Sequence, residues 1–126
     1  MRTIKFRGKT TKGNWACGFL SRHVGGDIYF ITTDEKRNLI VNLDTVGQFT
    51  GLYDKDGKEI YEGDIVDAWS AGGHLPNGII KWGEGIAGFF IMPPKCNAVW
   101  HLVGNDENKE TLEVIGNIYD NPELLK

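Results

Sequence analysis

The sequence predicts an all-β protein. Three observations carry that expectation. Apolar residues come in bursts of about five to seven, glycine and Asn/Asp clusters separate the bursts, and no stretch keeps the i, i+3, i+4 spacing of a helix for ~10 residues. Glycine supplies 17 of the 126 residues, well above the roughly 7% of average usage, and follows no three-residue period, so tight turns are expected and a collagen helix is excluded. Hydrophobic residues at 40% and aromatics at 11% are enough for a core in a chain of one-domain size.

Strands are expected near 3–7, 15–21, 27–32, 38–43 and 45–52, then near 58–61, 64–70, 78–83, 87–92, 98–103 and 111–119. Each break between them has its own turn chemistry. Gly13-Asn14 and Gly25-Gly26 tolerate the positive φ that closes a hairpin. Residues 32–38 form a polar loop whose two acids and two bases cancel, which marks it as solvated rather than ligand-seeking. Asp54-Lys55-Asp56-Gly57 reads as a type I turn ending in a left-handed glycine. Glu62-Gly63-Asp64 reads as a turn in which the Asp64 carboxylate bonds nearby backbone amides. A longer loop is expected over 70–77, a β-turn over 83–88, and one helical turn at Asn121-Pro122-Glu123, where an N-cap, a first-turn proline and an acid follow one another.

These elements suggest two small β subdomains: residues 1–48, a bridging hairpin over 49–63, and residues 64–126 with the strand order of an SH3-like barrel. In the last strand Leu112, Val114, Gly116 and Ile118 fall on one face, as in a half-exposed antiparallel strand. Ile79 to Trp82 and Phe89 to Met92 instead put large apolar groups on both faces, more than a short chain covers unaided, and this leads to the expectation of a homo-oligomer.

Charge is unevenly spread. Residues 1–26 hold Arg2, Lys5, Arg7, Lys9, Lys12 and Arg22 and no acid, a local charge of +6, while eight bases and seventeen acids leave −9 for residues 27–126. The basic segment Arg2, Lys5, Arg7, Lys9 and Lys12, with Trp15, is the candidate binding site. Two cysteines, Cys17 and Cys96, make no disulfide framework and are read as reduced, buried thiols. No apolar run reaches the roughly 18 residues of a membrane span, and the first residues carry no hydrophobic signal region, which suggests a cytoplasmic protein.

Catalytic and metal signatures are sparse. Asp54, Asp56 and Glu59 crowd together, but the glycine falls at the fourth position and strands flank it, unlike a calcium loop. His23, His74, His101 and Cys96 keep no metal-ligand spacing, Ser21 and Ser70 are not coupled to a histidine and an acid, and 83–88 precedes no helix as a dinucleotide loop would. No enzyme activity, metal or cofactor is expected.

Three segments carry a family resemblance: Ile4-Lys5-Phe6-Arg7, the string from Phe49-Thr50-Gly51-Leu52-Tyr53 through Asp54-Lys55-Asp56-Gly57 to Glu62-Gly63-Asp64-Ile65-Val66, and Leu112-Glu113-Val114-Ile115-Gly116-Asn117-Ile118-Tyr119-Asp120-Asn121-Pro122-Glu123-Leu124. In this order they resemble the YopX family of small proteins encoded by bacteriophages and prophages. The resemblance implies a mostly β protein inside a bacterial host and brings no catalytic activity or cofactor with it. Function is therefore expected in one of two classes: a non-enzymatic accessory protein, a self-associating β module that binds a protein partner, or a nucleic-acid-binding module using the basic N-terminal strands with Trp15 and Phe19 as stacking groups. The acidic remainder of the chain favours the first.

Overall fold

The computed structural model describes residues 3–70, 73–85, 87–93, 100–101 and 112–125. They form eleven strands: β1 Phe6–Lys9, β2 Trp15–Arg22, β3 Tyr29–Thr32, β4 Asn38–Val41, β5 Gly47–Tyr53, β6 Glu59–Tyr61, β7 Asp64–Ser70, β8 Gly73–Gly83, β9 Gly88–Met92, β10 Trp100–His101 and β11 Leu112–Asn117. Two 3-10 turns, Leu43–Thr45 and Pro122–Leu125, are the helical elements among the described residues. The protein is all-β, and the chain divides into two compact units, Met1–Phe49 and Thr50–Lys126.

In the first unit the strands follow the order β4-β3-β2-β1-β5, all antiparallel. Alternation sorts the side chains. Ala16, Ile31 and Val41 are buried together, with Phe6, Leu20, Tyr29, Leu39 and Val46 packed around them. β4 curls back toward β1 through a single bridge, Thr10↔Val41, next to which the Asn42 amide donates to the Lys9 carbonyl at 2.8 Å. Thr45 secures this seam: its hydroxyl accepts from the Lys9 amide at 2.8 Å and donates to the Asn42 carbonyl at 2.6 Å. A close approach between β2 and β3 is possible because position 18 has no side chain, a Cβ there lying 2.0 Å from the Thr32 carbonyl oxygen.

β5 continues past Phe49 into the second unit and pairs with β6. The turn between them has the expected geometry. The Gly57 amide donates to the Asp54 carbonyl at 3.0 Å, the Asp54 amide donates to the Lys58 carbonyl at 2.8 Å, and Gly57 has φ 82. The remaining strands are ordered β10-β9-β8-β7-β11, a meander whose last strand returns beside its first, which is the order of an SH3-like barrel. Ile60, Val66, Ala68, Ile80, Ile91, Leu112 and Val114 are its buried core.

Of the residues expected as a loop over 70–77, the described ones, Ser70 and 73–77, are instead strand. β7 and β8 pair from Ser70↔Gly73 onward, and a register shift lies between Val66↔Gly78 and Ala68↔Leu75. That shift is where Pro76, which has no amide proton, fits without a missing ladder bond. A second shift, between Val114 and Gly116, interrupts the alternation expected of the last strand. Cys17, expected to be buried, is an exposed free thiol, because it alternates with buried Ala16 and Gly18. Cys96 lies outside the described residues.

Candidate functional site

β1 reads Phe-Arg-Gly-Lys, and its alternation divides it cleanly. Phe6 packs on the core, and Gly8 is buried where a Cβ would meet Val41 and Val46 at 3.1 Å. Arg7 and Lys9 therefore point to the opposite face, and the register places Lys9 beside Trp15 and Arg7 beside Cys17. The Arg7 guanidinium carbon lies 4.8 Å and the Lys9 Nζ 5.6 Å from the Trp15 ring centroid, while the Lys5 Nζ lies 5.1 Å from that of Phe49. Cation–π contacts of this kind contribute about 0.5–1 kcal/mol each where exposed. Of the residues selected from the sequence, Lys5, Arg7, Lys9 and Trp15 thus share one face, and Arg2 lies outside the described residues.

Lys12 stands apart from that face, at the tip of the β1–β2 hairpin. The turn is closed by the Thr10 amide donating to the Asn14 carbonyl at 2.8 Å and the Gly13 amide donating to the Thr10 carbonyl at 2.9 Å, with Gly13 at φ 86. The hairpin tip and the start of β4 border a groove of about 340 Å³ lined by Thr10, Thr11, Lys12, Asn14, Trp15, Arg37, Leu39 and Ile40. Arg37 was missed in the sequence because its loop is neutral in sum. In space its charges separate: Arg37 lines the groove, and Asp34 and Glu35 do not.

Beyond the groove, the outer face of β2, β3 and β4 carries apolar side chains. Phe19 is 68% exposed and Ile40 52% exposed. Phe30 is directly opposite Ile40 in the β3–β4 register and is half-buried.

The Asp54 and Asp64 carboxylates are engaged with backbone, while Glu59 Oε1 accepts from the Tyr61 hydroxyl at 3.1 Å. Asp54 Oδ1 accepts from the Asp56 and Lys58 amides, both at 2.9 Å, and Oδ2 from the Val114 amide at 3.0 Å. Asp64 Oδ2 accepts from the Tyr61 amide at 2.7 Å. Asp67 bonds the His74 Nε2 across β7 and β8, and the His74 ring lies 4.6 Å from that of Trp69. Among the described residues no group of three or more His, Cys, Asp or Glu could hold a metal ion, and no helix is long and apolar enough to cross a membrane.

A family model described as YopX protein matches residues 2–126. The chain belongs to the YopX family. The basic-aromatic face of β1 and β2 and the groove beside it are therefore features of a YopX protein. A crystal structure of protein EF1440 from Enterococcus faecalis is similar to this YopX chain, with 25% sequence identity, 100% of each chain covered and a TM-score of 0.58. No curated protein matches it.

Proposed function

We propose that this YopX protein is a non-enzymatic phage or prophage accessory protein, a β module that self-associates and binds protein. The observation that carries the reading is the outer face of β2 to β4, where exposed Phe19 and Ile40 flank Phe30. Large apolar groups gathered on one exposed face are a mark of interaction surfaces. Charge also favours a second copy of the chain as the partner, since Lys5, Arg7 and Lys9 share one face of the first unit and exposed acids such as Asp56, Glu84 and Glu123 lie in the second.

Nucleic acid fits less well. Stacking on Trp15 would compete with Arg7 and Lys9, which already sit over its ring, and a net charge of −3 opposes a phosphate backbone. Sedimentation velocity on Phe19→Glu tests the reading: the variant should sediment as a monomer at concentrations where the unaltered chain is an oligomer. Equal sedimentation of the two, both associated, would remove Phe19 from the interface.

A further inference from the structure

The groove beside the β1–β2 hairpin has a second property besides its two cations. One of its walls is the outer edge of β4. Among the described residues that strand is the last in its sheet and pairs along its length with β3, its other edge meeting the end of β1 at the bridge Thr10↔Val41. Leu39 and Ile40, between that bridge and Arg37, line the groove together with Lys12 and Arg37. An open strand edge is a template for another strand, and a wedge that keeps one end of it closed fixes where an added strand must stop.

We propose that this groove receives an extended acidic segment of a partner protein, which adds to the β4 edge as a further strand. The occupant follows from the chemistry. Main-chain pairing to β4 demands a peptide, since a nucleic acid strand has no alternating donors and acceptors to match it. Lys12 and Arg37, both exposed, favour carboxylates, and Arg37 offers the forked donors that hold a carboxylate by two bonds. Ile40, exposed and lining the groove, supplies an apolar surface on which a side chain of the added strand rests. The arginine, with Lys36 beside it at φ 64, is held at this rim by the turn in which the Thr33 amide donates to the Arg37 carbonyl at 2.9 Å and the Lys36 amide donates to the Thr33 carbonyl at 2.8 Å.

This inference rests on the chain being a protein-binding module, but not on its self-association. It is tested on the full chain, diluted to its monomeric form, with a fluorescein-labelled peptide that alternates Glu and Val. Three competitors are used: the same peptide with Lys in place of Glu, the Glu-Val peptide with N-methyl groups on alternate amides, and single-stranded oligothymidylate. The Glu-Val peptide should bind and should shift the amide resonances of Asn38 and Ile40. Lys12→Ser combined with Arg37→Ser should weaken it about tenfold. The N-methylated peptide keeps its charge but loses ladder donors, and it should also compete about tenfold more weakly. Equal competition by the N-methylated peptide would overturn strand addition, and stronger competition by the oligonucleotide would overturn the peptide as occupant. A chain that binds the peptide yet never self-associates would contradict the oligomer while supporting the groove.

Discussion

Asp54 Oδ2 accepts a hydrogen bond from the backbone amide of Val114 at 3.0 Å, tying the β5–β6 turn to β11 across sixty positions of sequence. The same carboxylate holds its own turn through the Asp56 and Lys58 amides. At 1% exposure it is one of the least accessible polar groups of the second unit, and all three of its partners are backbone donors. A side chain chosen as a turn former is thus also a latch for the last strand.

Replacing Asp54 by alanine leaves these donors to find other partners in a buried place, and should cost about 3 kcal/mol. Asp54→Asn keeps one acceptor oxygen and should cost less. Urea denaturation midpoints check both. An alanine variant as stable as the parent would mean that the latch contributes nothing.

Gly57 sits at φ 82 with no atom within 4 Å of where a Cβ would lie, so strain and not crowding limits substitution. Gly57→Val should cost about 1–2 kcal/mol, and Gly57→Asn should be better tolerated because asparagine enters the left-handed region more readily. The order of the two denaturation midpoints checks the conformation.

Gly18 is limited by space. A Cβ would stand 2.0 Å from the Thr32 carbonyl oxygen, which is backbone and cannot turn aside. Gly18→Ala should therefore cost about 3 kcal/mol or more and free the β2–β3 amides to exchange. Hydrogen exchange at Ser21 and Phe30, which are paired across β2 and β3, compared with exchange at Ile80 in the second unit, separates a local opening from global unfolding.

Lys55 is held above its ordinary pKa of 10.5, first by its hydrogen bond to Glu113 and then by the charges of Glu113 and Asp56. The ammonium lies 3.3 Å from Glu113 Oε2. Because the folded value is raised, the stabilisation is complete below the unfolded pKa and is lost as pH rises through the folded one. Stability should fall across the alkaline limb, and Glu113→Gln should flatten that fall. The pair is exposed, so the difference is small, and urea midpoints followed upward from about pH 9 are the measurement.

The turns were the most legible part of this fold, because glycine and Asx chemistry acts within four or five residues. Gly13, Gly25 and Gly57 all have positive φ, as a local reading of the sequence expects. Features that depend on a distant partner were not legible. Pro76 looked like a loop residue because the register shift that admits it is set by β7. The requirement for glycine at position 18 comes from Thr32, on another strand. Arg37 was hidden by the neutrality of its loop, since summing charges along a chain discards the direction in which each side chain points. The basic segment was legible as charge, and the alternation of Phe6 and Gly8 with Arg7 and Lys9 accounts for its common face, but the separate position of Lys12 follows from the hairpin tip.

Self-association through the outer face of β2 to β4 can be read from light scattering of the unaltered chain over a series of concentrations and salt strengths. Apolar burial should supply most of the affinity and charge the orientation, since exposed ion pairs contribute only about 0–1 kcal/mol each. An oligomer mass should persist as salt is raised while the association weakens modestly. A monomer mass at every concentration and every salt strength would contradict it.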